Sequence, residues 1–394
     1  MMKFSLTRML DREVGDLLSD RWLFSLVTWV PPLLFFIMWW IFSQGIATEL
    51  PFGVVDLDKS RTSRALVRHF EASPYLKIDD SFLEVAQASS ALKAGYIYGL
   101  LVLPHGLEKQ ALRGRPPQIT AFTNGQYLLT QKLITSALVQ AQKTFTVQVE
   151  TVRNLAAVTP VFDTALSSAL PISSQPVPLF NVGKNYAQFL VPALLPAVWQ
   201  IVMVTGAVLS LSLVHRKYTL IRWLGKAPAR ALLAKMVGLS TIFWLHGILF
   251  LTFMYVWLGW PMRGEWSLLL VSQFITVWAS IGAGCLIFLL IRDAASSLSI
   301  AAAYVAPALA FMGVTFPVTA MTLPARIWRS LIPICHYVEI QFGQVNYGAP
   351  AEMALPELGA LSLLLLPGLI ALILATRLAG PSWTKPKEKP HDLS

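Results

Sequence analysis

Residues 189–214 read FLVPALLPAVWQIVMVTGAVLSLSLV, and this stretch decides the fold class. It carries no charged residue and exceeds the roughly 20 residues that a helix needs to cross a bilayer's hydrocarbon core. Similar runs lie on either side, at Trp22–Phe42, Met236–Gly259, Trp266–Ile291, Ala295–Phe316 and Leu358–Ala379. Composition agrees: of 394 residues 55% are hydrophobic and 13% charged, against about 25% charged in a soluble domain. Mean hydropathy is +0.59. Disorder is excluded, since its signature is low hydrophobicity. Collagen-like, repeat and disulfide-scaffold readings fail too, with 23 Gly in no period and only 2 Cys. The expected fold is a polytopic α-helical membrane protein with six transmembrane helices.

Charge sets the expected orientation. The chain has a net charge of +10 and a pI near 9.6. Nucleic-acid binding would need a basic face on a soluble module. Here the cations flank apolar runs instead: Arg216, Lys217, Arg222, Lys226, Arg230 and Lys235 in one stretch, Arg292 in another, and Lys385, Lys387 and Lys389 in the tail. The positive-inside bias places all of these, and both termini, in the cytoplasm. Gly45-Ile46-Ala47 mimics a signal cleavage site, yet the apolar run before it is long. Asp11, Glu13, Asp16 and Asp20 precede that run, so it reads as a retained anchor.

The organisation that follows is a cytoplasmic amphipathic segment at 1–21, a first span at 22–42 and an extracytoplasmic α/β domain at 43–188. A five-helix domain at 189–379 comes next, with a cytoplasmic loop at 215–235 and an outer segment at 317–357, and the chain closes with a tail at 380–394. Within 43–188, strands are expected at Pro51–Asp58, Tyr75–Asp79, Tyr96–Leu103 and Gln118–Thr123. Helices lie between them, with a long one over Gln126–Leu155 and a Pro-rich loop at Pro160–Pro178. Alternating strands and helices give a mixed sheet with crossover helices.

The chemistry is sparse. Asp56-x-Asp58-x-Ser60 has the start of a calcium loop, but Arg61 stands where Gly is needed and Val67 where Glu is needed. A helix cap at Asp58 or Ser60 accounts for it better. No hydrolase elbow, HExxH, CxxC or phosphate loop is present, so nothing marks the chain as an enzyme or a nucleotide binder, and no metal or cofactor is expected on it. Charges are nearly absent from the spans, which argues against an ion-coupled carrier. Gln200, His246 and Gln273 are the polar exceptions. They read either as helix-to-helix hydrogen bonds or as a translocation pathway. Two amphipathic pieces, Phe4–Leu18 and Tyr218–Leu233, read as surface helices or as docking elements for a soluble partner.

Five stretches carry a family resemblance: PFGVVDLDKSRTSRALVRHF at 51–70, YIYGLLVLPHGLEKQALRG at 96–114, LFNVGKNYAQFLVPALLP at 179–196, LIRWLGKAPARALLAKMVG at 220–238 and LPARIWRSLIPICHYVEIQFGQVNYG at 323–348. In their order and spacing the chain resembles the type-2 ABC exporter permeases, in the multidrug-efflux-like subgroup with a large extracytoplasmic domain between helices 1 and 2. It departs from them at Arg216-Lys217-Tyr218-Thr219, where an acidic stretch is common, at Asn181-Val182 in place of Asn-Pro, and at Pro192-Ala193 in place of Pro-Gly.

The resemblance implies a non-catalytic membrane subunit, half of a translocation pore, in a bacterial inner membrane. It implies cytoplasmic ABC ATPase subunits that bind the ATP, a second permease subunit (identical or paralogous) and a periplasmic adaptor. The implied cargo is a drug-like hydrophobic or amphiphilic compound, with lipid or polysaccharide export as the alternative. Leu220, Ile221, Arg222, Trp223, Leu224, Lys226 and Arg230 would form the ATPase-coupling loop. Leu220, Ile221, Trp223 and Leu224 would act as apolar anchors, and the basic residues would serve anionic lipid headgroups. A receptor or scaffold that merely anchors its outer domain is the competing class.

Overall fold

The charge-free run at 189–214 forms the core of the longest helix, Tyr186–Tyr218. The computed structural model describes residues 6–43, 45, 47–79, 82–112, 117–126, 128–157, 180–181 and 185–379. Phe4, the Pro160–Pro178 loop and the tail from 380 lie outside the described residues. The chain divides into two units, one of residues 46–177 and one of residues 1–45 with 178–394.

The larger unit opens with α1 (Leu6–Ser19), α2 (Arg21–Val27) and α3 (Val30–Phe42). The first expected span is thus a pair of helices bent by 47°. The bend falls at Thr28 and Trp29, just before the proline pair rather than at it. Pro31 and Pro32 occupy the first turn of α3, where a missing N–H removes no helical bond.

The unit of residues 46–177 is a four-stranded mixed sheet. Its elements are β1 (Leu50–Asp56), α4 (Arg61–Glu71), β2 (Leu76–Asp79), α5 (Val85–Lys93), β3 (Gly99–Leu103), α6 (Leu107–Leu112), β4 (Thr120–Thr123) and α7 (Leu128–Ala157). The order is β2-β1-β3-β4. β1 pairs in parallel with both neighbours, and β3 pairs antiparallel with β4. β1 is central and covered on both faces, which is why its sequence is continuously apolar. Phe52 and Val54 pack with Leu66, Phe70 and Ile134 on the α4–α7 face. Val55 packs with Ala88 and Leu100 on the α5 face.

The Asp56-x-Asp58-x-Ser60 turn is fully committed to holding this unit. Ser60 caps α4, its hydroxyl accepting from Ser63 N at 3.0 Å. Asp56 accepts from the N–H groups of Asp58 and Lys59 at 3.0 and 2.9 Å, and from the Ser63 hydroxyl at 2.6 Å. Asp58 does not cap α4; it reaches across to accept from Gly106 N at 2.7 Å and Glu108 N at 3.1 Å. The Ser60 hydroxyl, with those backbone N–H groups, holds the Asp58 carboxyl below the usual carboxylate range. Gly106 takes φ 79 there, a conformation that suits glycine.

The rest of the larger unit comprises α8 (Tyr186–Tyr218), α9 (Leu220–Leu224), α10 (Pro228–Thr252), α11 (Trp266–Ile291), α12 (Ala294–Val305), α13 (Ala308–Phe311), α14 (Leu323–Ser330), α15 (Pro333–Phe342), α16 (Leu355–Leu363) and α17 (Leu366–Ala379). Among the described residues five helical stretches are long and apolar enough to cross a membrane: Tyr186–Tyr218, Pro228–Trp257, Trp266–Ile291, Ala294–Phe311 and Ala351–Ala379. α8 and α11 are largely buried in the bundle, whereas the last two stretches leave most of their apolar surface uncovered. Arg292, at φ 60, closes α11 in a left-handed turn. Asp293 then caps α12, accepting from Ser296 N at 2.8 Å, and that bond lowers its carboxyl's pKa.

Two expectations need correction. The basic loop expected at 215–235 is only 219–227, because α8 runs on to Tyr218 and α10 already begins at Pro228. Lys235 is therefore a buried residue of a long apolar helix. The outer segment expected at 317–357 is also no simple surface loop. Its helix α15 buries Ile334, Cys335, Tyr337, Val338 and Ile340 in the bundle core, in contact with α8 and α11. It lacks a span-length apolar run, so hydropathy alone underrates its burial.

Candidate functional site

Two places in the larger unit concentrate polar chemistry: the end where α8 stops and α10 starts, and the bundle interior leading to the opposite end. At the first, α1 is fastened by its acids. Asp16 accepts from Lys217 Nζ at 2.9 Å and from the Tyr218 hydroxyl at 3.3 Å. Asp20 caps α2 and also pairs with Arg216 at 3.7 Å. Deeper in, Glu13 forms an ion pair with Lys235, whose ammonium also donates to the Ser210 hydroxyl at 2.9 Å. Arg12 lies 5.6 Å from the centre of the Trp223 ring and Lys235 lies 5.3 Å from it. The α9 indole is thus gripped by one cation from α1 and one from α10. These contacts make α1, α9 and the start of α10 one packed block.

The anchors expected in the 220–230 stretch divide sharply. Leu220, Trp223 and Leu224 are buried in this chain's own core at 2–3% exposure, while Ile221 is 43% exposed. Arg222, Lys226 and Arg230 are exposed as well. Only one of the four apolar residues read as partner-facing therefore faces outward. The spacing of α9 showed an amphipathic turn. It did not show that the apolar face was already occupied by α8 and α10.

In the interior, Gln200, His246 and Gln273 are all buried. Among the described residues no hydrogen bond joins any two of them. Gln200 has neither amide atom bonded, and Gln273 donates to the Tyr337 hydroxyl at 3.3 Å. His246 stacks near Phe250. On α8 a proline leaves a buried polar side chain a definite task. Pro196 frees the Pro192 carbonyl, and the Gln341 amide donates to it at 3.0 Å and to the Tyr255 hydroxyl at 3.3 Å. A buried polar side chain thus restores a bond that proline removed.

At the opposite end, Gln344 accepts from Glu265 N at 3.0 Å, and Arg263 bonds to the Asn346 carbonyl. His336 bridges Glu357, at 2.5 Å, and the Ser330 carbonyl, at 3.1 Å. Arg329 pairs with Glu339. Beside this cluster lies a cavity of about 450 Å³, bordered by Gln188, Phe189, Tyr255, Trp260, Phe342 and Glu339. None of Gln200, His246 and Gln273 is among its lining residues.

An apolar multi-helix bundle with a cation-rich helix junction at one end and an aromatic cavity at the other suits a membrane transport component. The model of the family described as ABC-2 family transporter protein matches residues 21–377. The chain belongs to the ABC-2 transporter family. No curated relative matches it. As an ABC-2 permease it is a multi-pass membrane component of an ABC transporter, a role generally non-catalytic and served by ATPase partner subunits.

The roles of several residues that shape this permease are not visible in the sequence: Glu13, Asp16, Lys235, Tyr337 and Gln341. Their partners sit on helices far away in the chain. A local signal did exist for Gln341, since Pro196 inside an apolar helix announces an orphan carbonyl that some polar side chain must meet.

Proposed function

We propose that this permease exports an amphiphilic, drug-like compound, and that the aromatic cavity at the 312–354 end is where cargo passes toward the outside. The observation that supports the reading is the cavity's chemistry. It is walled mainly by aromatic and aliphatic side chains, and among the described residues Glu339 is the one charged residue bordering it. Apolar pockets with sparse polar groups hold such ligands. In this reading the bent pair α2–α3 crosses the bilayer and makes six spans. The cation-rich end faces the cytoplasm of a bacterial inner membrane, and the unit of residues 46–177 lies outside. The uncovered apolar faces of the last two stretches are available to a second permease subunit or to lipid. The α1–α9–α10 block is the seat for the ATPase, with Ile221, Arg222, Lys226 and Arg230 exposed toward it.

Two measurements test this. Trp260→Ala and Phe342→Ala each remove one wall of the cavity while leaving the ion pairs alone. Each is expected to change export of at least some dyes by about tenfold, about 1.4 kcal/mol in the barrier. Unchanged export of every accepted compound at equal permease levels would remove the cavity from the path. Orientation is checked by single cysteines at Ile221 and Ala349, with Cys285 and Cys335 replaced. An impermeant thiol reagent added to intact cells is expected to label only the Ala349 position; labelling of both, or of Ile221 alone, overturns the assignment.

A further inference from the structure

A second cavity, of about 300 Å³, lies between α1 and α10, and nothing in the export reading uses it. We propose that it is a built site for a membrane phospholipid whose headgroup carries a primary ammonium beside its phosphate. The inference stands whether or not the cargo reading is right.

The floor and walls differ in character. Glu13, Lys235 and Ser210 supply the polar part, and Val14, Leu17 and Ile242 belong to the apolar part. The side chains of Lys235 and Glu13 are 3% and 10% exposed, so a charged pair stands at the edge of an apolar recess. A charged pair in such a place is poorly solvated, and both of its residues line the cavity. Lys235 already serves Glu13 and Ser210. Glu13 has a carboxylate with several lone pairs, of which Lys235 uses only part. A ligand matched to this pair brings an N–H donor to Glu13 and an anionic oxygen to Lys235, so that the charges alternate in sign. An ammonium zwitterion does both, whereas a quaternary ammonium has no N–H to give.

Position and size favour a bilayer lipid over a transported compound. The rim carries Val14, 55% exposed, and beside it on α1 Leu18, 61% exposed. On α10, Thr241 is exposed, and Leu245, one turn further on, is 56% exposed. These are residues that face hydrocarbon in a membrane protein. On its inner side the cavity ends against the buried residues Ser210 and Lys235. Its volume is at the low end for a whole small ligand. A headgroup and the first part of an acyl chain fit that size.

Gly238 lines this cavity, and a Cβ added there would meet no atom within 4 Å. Gly238→Leu therefore enters the space while both charged residues are kept, in a helix that favours leucine over glycine. Gly359→Leu on α16 is the control, since its surroundings are equally open and it is not among the lining residues. The experiment is native mass spectrometry of the full-length permease, delipidated in detergent and then given phosphatidylethanolamine or phosphatidylcholine with identical acyl chains. The wild type and Gly359→Leu are expected to retain the ethanolamine lipid about tenfold better than the choline lipid, a difference of about 1.4 kcal/mol. Gly238→Leu is expected to lose that preference while eluting and melting like a folded protein. Three results overturn the proposal: equal retention of both lipids by the wild type, undiminished preference in Gly238→Leu, or displacement of the bound lipid by exported compounds. The last would mean that the cavity loads cargo. If Gly238→Leu fails to fold, Gly238→Ala, which narrows the same space, is expected to weaken the preference, and an unchanged preference overturns the proposal.

Discussion

Gly282→Val is expected to leave almost no recoverable folded permease. A Cβ at Gly282 would lie 2.7 Å from the Cα and 2.9 Å from the N of Gly368 on α17. Two residues on, a Cβ at Gly284 would lie 2.7 Å from the Val204 carbonyl oxygen of α8. In both cases the obstacle is backbone, so no rotamer change can relieve the clash. Helices in lipid have no hydrophobic force drawing them together; close packing over small residues takes its place. α11 is thus pinned to one neighbour through Gly282 and to another through Gly284, and widening either contact forces the whole helix outward. Overpacking of this kind costs about 3 kcal/mol or more where the backbone must move. The check is detergent extraction followed by size-exclusion profile and melting temperature, with Gly359→Val as the open-space control. A Gly282→Val protein that elutes and melts like wild type would show that α11 and α17 do not touch at this point.

The spans were legible because burial in lipid and absence of charge are the same signal. Trp266–Ile291 was read with both ends correct, as charged or polar residues bracket it. The strand order of the smaller unit could not be read, but its element sequence could, since Ser60 and the Asp-rich turn punctuate it locally. What failed was nonlocal. Lys235 looked like the last residue of a basic loop, because its partner Glu13 sits on the first helix of the chain. Leu220, Trp223 and Leu224 looked available to a partner, because an amphipathic turn does not reveal which protein covers its apolar side. The helix α15 gives no sign of its burial, because its polar Tyr337 and Gln341 lower its hydropathy while bonding to Gln273 and to the Pro192 carbonyl. The pathway candidates share this limit. His246 stands out by its depth in the sequence, and in the structure its ring packs against Phe243 and Phe250 within the bundle.

The second large effect is expected where Glu13 meets Lys235. Glu13→Ala leaves a lysine buried at 3% exposure with only the Ser210 hydroxyl and the Trp223 ring for company. Lys235→Met leaves a carboxylate facing an apolar recess. Removing one partner of a buried pair costs about 3–5 kcal/mol, because the survivor keeps its desolvation and loses its compensation. Removing both is different. Glu13→Leu with Lys235→Met replaces the pair by packed apolar groups, and such exchanges are often neutral or stabilising. Thermal unfolding of the wild type, Glu13→Leu, Lys235→Met and the double variant gives the coupling energy. The double variant also separates stability from transmission. Asp16 still holds α1 to Lys217 and Tyr218 in it, so the helix stays docked at its C-terminal half. If closure of the ATPase reaches the spans through α1 and α10 together, the double variant should fold, retain its ATPase and lose most ATP-driven export. Wild-type export from a stable double variant would assign the pair to assembly alone and move the coupling contact to the exposed Ile221, Arg222, Lys226 and Arg230.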